Sequence, residues 1–144
     1  MIIKSPAFKN NEYIPAKYTC QGDDISPPLL IQDIPDNAKS LALIMDDPDA
    51  PMGTWIHWVI FNIPLIDKIE ENAVPGTLGT NDSNPDGTYG GTCPPSGVHR
   101  YFFKIYALDI LLDIAPGITK GELESAMKGH IIEEAAIVGL YKKE

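Results

Sequence analysis

The chain has 144 residues, 44% of them hydrophobic, and a net charge of −9, with a mean hydropathy of −0.08. That length gives one domain, read over residues 1–144, with a core of its own. The charge argues against nucleic acid and against docking on anionic membranes, which both need basic patches; no apolar run reaches the roughly 20 residues of a membrane span.

Met1 to Pro6 hold no apolar stretch of signal-peptide length, so the chain reads as cytoplasmic. In a reducing cytoplasm Cys20 and Cys93 read as free thiols, and neither lies in a Cys-x-x-Cys pair.

Proline and glycine divide the chain into short apolar segments. Leu41 to Met45, Trp55 to Ile63 and Tyr101 to Leu108 are of strand length and rich in β-branched and aromatic residues. The second is apolar at both parities, as is the third apart from Lys104, which places them centrally, between two layers. Glu70 to Asn72 read as a short helical turn. Val74 to Pro95 is too rich in Gly, Asn, Asp, Thr and Pro for a regular element and reads as a long ordered loop, a form that is usually functional. Thr119 with Glu122 makes a capping box; Leu123, Ala126 and Met127 then share a helical face, and Gly129 ends the helix. Ala135 to Tyr141 reads as a closing strand. Many short strands with few helices predict an all-β fold, a sandwich or a barrel.

Two runs carry the polar chemistry. Asp46-Asp47-Pro48-Asp49-Ala50-Pro51 ends the first apolar strand and is followed by Trp55-Ile56-His57-Trp58. Of its carboxylates, Asp47 lies nearest any cavity at the sheet end, whereas Asp49 reads as part of a solvated turn. His57 shares a strand face with Trp55 and Val59, either as a core histidine bonded to backbone or as a ligand contact. The second run, Gly90 to Tyr101, combines a Gly pair, a Pro pair and His99-Arg100-Tyr101. Strand parity puts His99 and Tyr101 on one face and Arg100 on the other, where Arg100 reads as the partner of a structural carboxylate. His130 reads as a C-terminal helix residue. Asp82 to Gly87 copies half of a calcium loop, but Cys93 stands where the bidentate Glu belongs.

Taken together, Thr19-Cys20-Gln21-Gly22, Ser26-Pro27-Pro28-Leu29, Asp47-Pro48-Asp49-Ala50-Pro51, Trp55-Ile56-His57-Trp58, Tyr89 to Pro95 and His99-Arg100-Tyr101 resemble the phosphatidylethanolamine-binding protein family, which includes Raf-kinase-inhibitor-like proteins. The match is to its short bacterial and archaeal branch. The resemblance implies an antiparallel, Greek-key-like β-sandwich with one or two peripheral short helices. It implies a small anion-binding pocket lined by Asp47, Trp55, His57, His99 and Tyr101, with Gly91, Cys93 and Pro95 on its wall. It also implies cis peptides near the acidic loop, Ala50–Pro51 first and Gly53–Thr54 second.

These residues suggest a non-enzymatic protein that binds a small phosphate- or carboxylate-bearing ligand, with His57, His99, Tyr101 and loop N–H groups as donors. A hydrolytic enzyme using the His, Asp and Cys93 cluster is the alternative, and a regulator acting on a protein partner such as a kinase or protease is a third. No cofactor is implied; zinc on two histidines and a carboxylate is a weaker option. A homodimer is compatible with the apolar strands. A Cys20–Cys93 disulfide stands as the alternative to free thiols.

Overall fold

The computed structural model describes Met1–Lys143. Its strands are β1 (Ile2–Lys4), β2 (Glu12–Tyr13), β3 (Leu29–Gln32), β4 (Ser40–Asp47), β5 (Trp55–Ile63), β6 (Lys68–Ile69), β7 (Thr77–Leu78), β8 (Val98–Leu108) and β9 (Ile131–Lys142), with helix α1 (Lys120–Met127) and a 3₁₀ turn at Ala16–Tyr18. β1, β3 and β6 form one sheet; the other runs β2-β9-β8-β4-β5-β7. Pairing is antiparallel except for the short parallel contact of β2 with β9. Within the large sheet the order β8-β4-β5-β7 is a Greek key: β8 returns to lie beside β4, the first strand of the meander.

The large sheet is covered on both faces, which is why β4 is buried along its whole length. Leu41, Leu43, Met45, Trp58, Ile60, Tyr101, Phe103 and Ile105 face the small sheet and share its core with Ile3, Leu29 and Ile31. Ala42, Ile44, Val59, Phe61 and Tyr106 face the other way, against Leu112, Leu123 and Met127. Each large aliphatic side chain so buried is worth about 1.5–3 kcal/mol. The two-faced apolar pattern of β5 and β8 thus has the cause expected of it.

The helix begins with both capping-box bonds, Glu122 N–H to Thr119 Oγ1 at 3.1 Å and Thr119 N–H to Glu122 Oε1 at 3.0 Å. Gly129 follows it with φ +83°. His130 is anchored sideways, its Nδ1 2.8 Å from Asp109 Oδ1. The helical turn expected at Glu70–Asn72 is absent. Lys68–Ile69 pairs with β3 instead, and Asn72 turns the chain at φ +58° while its N–H bonds Ser26 O. The long loop from Val74 contains β7, which pairs with β5 at Ile60 and Phe61.

Candidate functional site

The site lies where β4 ends, β5 begins and β8 begins. Adjacent residues of β4 point to opposite faces. Asp46 goes outward, where its carboxylate holds Lys104 Nζ at 3.0 Å and Lys120 Nζ at 3.5 Å. Asp47 goes inward, and its Oδ2 accepts from His99 Nδ1 at 2.7 Å. Its Oδ1 accepts the Asp49 N–H at 2.8 Å. Both oxygens of this buried carboxylate are therefore engaged.

His57 reaches the same face through a β-bulge. Met45 pairs with Trp58, and Asp46 with Ile56, so His57 is the extra residue between them. The bulge breaks strict alternation. His57 lines the cavity with Trp55, Trp58 beside it enters the inter-sheet core, and Val59 faces α1. The parity that grouped His57 with Val59 fails at this point; the grouping with Trp55 stands. His57 is held by reciprocal bonds with the loop opposite: its Nδ1 donates to Gly90 O at 2.6 Å, and Gly90 N–H donates to His57 O at 3.3 Å. Burial pushes the imidazole below its usual range, against the pull of the Gly90 carbonyl and of Asp47. The ring meets Tyr101 edge-on with centroids 5.4 Å apart, and His99 stacks with Tyr101 at 6.4 Å. Burial, with the carboxylates of Asp47 and Asp49, keeps the Tyr101 hydroxyl protonated far above its ordinary value.

The wall opposite is a loop fastened to residues 16–24. Thr19 and Thr92 form a parallel bridge, with Cys20 N–H 3.2 Å from Thr92 O. This pairing brings Cys20 and Cys93 to a Cα separation of 5.5 Å, and they form a disulfide. The reading of two free thiols is thereby corrected, and so is Cys93 as a thiol nucleophile, since its sulfur is already bonded. Tyr89 Oη donates to Tyr18 O at 2.8 Å. Gly91 N–H donates to Asp24 Oδ1 at 2.8 Å. Gly91 has no room for a side chain: a Cβ there would strike Asp24 Oδ1 and lie 2.6 Å from Tyr18 O. The glycine pair permits close approach as read from the sequence, but both its N–H groups serve the protein.

Outside the cavity, Arg100 clamps Asp49. Its Nε and backbone N–H reach Oδ2 at 2.9 Å, and a terminal nitrogen reaches Oδ1 at 2.8 Å. These bonds hold the Asp49 carboxyl at about 2, well below the carboxylate range. Arg100 has the structural role predicted for it; Asp49 is its partner rather than a free turn residue. The peptide bonds described are all trans, which corrects the expectation at Ala50–Pro51 and Gly53–Thr54. Pro51 follows the first residue of a turn closed by Gly53 N–H to Ala50 O at 3.2 Å, a place that suits trans proline.

Asp47, Trp55, His57, Gly91, Cys93, Pro95, His99 and Tyr101 all border one cavity of about 310 Å³. Sequence reasoning missed Met52 and Ser83, which also border it. Met52 is 98% exposed at the mouth. Ser83 Oγ accepts the Trp55 indole N–H at 2.9 Å across a sequence separation of 28, a contact no local pattern announces. Asp24, which fixes the wall, was missed for the same reason. The Asp82–Gly87 segment spends its carboxylates on the protein's own backbone: Asp82 Oδ2 takes the N–H of Ile56 on β5, and Asp86 Oδ1 takes Thr88 N–H.

The arrangement is a pocket with a polar floor and an apolar mouth. Asp47, His57, His99 and Tyr101 are buried on the floor; Met52, Trp55 and Pro95 are exposed at the rim. It can surround a small molecule and offer it two imidazoles and a phenol. The family model described as phosphatidylethanolamine-binding protein matches residues 4–142. A UPF0098 protein of Methanothermobacter thermautotrophicus is 52% identical, over 99% of both chains. Among solved structures, the phosphatidylethanolamine-binding protein homolog CT736 of Chlamydia trachomatis superposes with a TM-score of 0.96 at 43% identity, covering 99% of this chain and 97% of the other. YbcL of E. coli, described as a member of the mammalian family, gives 0.89 at 27% identity, covering 99% and 98%. The chain belongs to the phosphatidylethanolamine-binding protein family.

Proposed function

We propose that this protein is a non-enzymatic binding protein whose cavity takes a small molecule bearing a phosphate or carboxylate group. The observation that carries the reading is the convergence of His57, His99 and Tyr101 on one cavity, with Asp47 tethering His99 from behind. Convergent polar groups in an otherwise apolar concavity are what a ligand site needs. The absence of catalysis is supported by the engagement of the nucleophile candidates. Cys93 is in a disulfide, and Ser83 Oγ is bonded to Trp55 with no hydrogen bond to either cavity histidine among the described residues.

Titration calorimetry with phenyl phosphate and with acetate at pH 6 tests this. Saturable binding is expected in the wild type, weakened at least tenfold in His99→Gln and in Tyr101→Phe, with no phenol released from phenyl phosphate. Equal affinity in both variants, or turnover of the ester, would overturn the reading.

A further inference from the structure

The hydrogen-bond roles on the pocket floor determine what kind of ligand it accepts. Gly90 O is a carbonyl and can only accept, so His57 Nδ1 must carry a hydrogen. Asp47 likewise takes the hydrogen on His99 Nδ1. In their neutral forms both imidazoles therefore turn a lone pair, on Nε2, to whatever lies beyond. The glycine pair of the wall does not make up the deficit, because Gly90 N–H is given to His57 O and Gly91 N–H to Asp24. What the side chains leave for a ligand is the Tyr101 hydroxyl, the Ser83 hydroxyl and two imidazole acceptors. A fully deprotonated oxyanion would meet those two lone pairs, with the Asp47 carboxylate behind one of them.

We propose that the pocket binds oxyacids together with a proton: one proton is drawn from solvent for each dianion bound and comes to lie between a ligand oxygen and Nε2 of His99. This rests on the binding function proposed above and adds its ligand class, weak oxyacids captured in a protonated form. The proton is the only species transferred, and no bond to phosphorus or carbon breaks. His99 is the natural seat because Asp47, 2.7 Å from its Nδ1, balances the charge of an imidazolium. His57 has a neutral carbonyl in that position and is kept neutral by burial.

The charged and titratable groups around the pair are consistent with uptake of a cation. Asp46 and Asp47 approach from β4, Asp49 from the loop after it and Asp24 from the fastened wall; of the cations, Arg100 is engaged by Asp49, and Lys104 with Lys120 by Asp46 on the opposite face. Of the remaining neighbours, burial keeps the phenols of Tyr101 and of Tyr89 on the wall neutral, and Tyr141 lies opposite His99 on β9.

Calorimetry with phenyl phosphate at pH 8, in buffers of low and high ionisation enthalpy, reads the proton directly. About one proton taken up per site is expected, with affinity falling about tenfold for each further pH unit. His99→Gln is expected to bind weakly and without uptake. Binding of wild type with no buffer dependence would overturn the coupling while leaving the binding function intact. Nitrogen-15 NMR of the ligand-free protein at pH 8 is independent of affinity: both cavity rings should show the Nδ1–H tautomer, and an Nε2–H tautomer on either would overturn the proposal. No heat with phenyl phosphate at pH 6 would overturn the binding reading itself and the coupling with it, while leaving the NMR result standing.

Discussion

Removing the Cys20–Cys93 bridge by serine substitution at both positions is expected to destabilise the protein substantially while leaving most of the fold unchanged. The cysteines are 73 residues apart. Loop-closure entropy for a cross-link of that span is worth about 4 kcal/mol, and that corresponds to a loss of roughly 10–15 °C in Tm for a chain of this size. The native-state consequence is local. Up to Thr92 the wall keeps its other fastenings: Cys20 N–H to Thr92 O, Asp24 to Gly91 N–H and Tyr89 to Tyr18 O. The serine variant should thus keep its strands and lose midpoint. Guanidinium unfolding of wild type, oxidised and reduced, beside the double variant, measures this. Reduced wild type and the variant should coincide, both about 4 kcal/mol below oxidised protein. A difference under about 1 kcal/mol would refute the argument that the cross-link acts through the unfolded chain. Two reactive thiols in denatured, unreduced protein would remove the bridge altogether.

Two further outcomes follow from single contacts. Gly91→Ala drives a methyl group into Asp24 and the Tyr18 carbonyl, so it should cost about 1–3 kcal/mol by chemical denaturation and weaken ligand binding through the displaced wall; an unchanged midpoint would mean that the wall is looser than described. Asp49 has a folded-state value of about 2, below its ordinary 3.8. Its stabilising contribution is therefore complete above pH 4 and is lost as pH falls from about 4 to about 2. Asp49→Asn should flatten the acid limb of the stability profile in that window and nowhere else, and an unaltered limb would dissociate the Arg100 clamp from acid stability.

Much of the scaffold was legible because its causes are local. Apolar runs rich in β-branched and aromatic residues mark β4, β5 and β8 from their own residues, and Thr119 with Glu122 announces the start of α1. The site residues were legible through two short runs and a family resemblance, and β8 obeys parity, so His99 and Tyr101 fall together as read. What escaped depends on pairing between distant segments. The bulge at His57 exists only as a count of two residues against one on β4. The choice between free thiols and the Cys20–Cys93 disulfide, which the sequence left open, depends on Thr19 lying beside Thr92. The loss of the Gly91 N–H as a donor depends on Asp24, 67 residues away, and that of Gly90 on the carbonyl of His57. Asn72 hides its turn for a different reason: positive φ is open to Asn without any sequence mark that separates it from a helical Asn.

The central claim is that the floor formed by His57, His99 and Tyr101 binds the ligand. Amide and imidazole NMR shifts mapped during a phenyl phosphate titration at pH 6 test it most directly. The account predicts saturable changes confined to the acidic loop, His57, the 90–95 wall and residues 99–101, with both cavity imidazoles shifted. Changes centred instead on Lys104 and Lys120 across the sheet, with His57 and His99 unmoved, would contradict it.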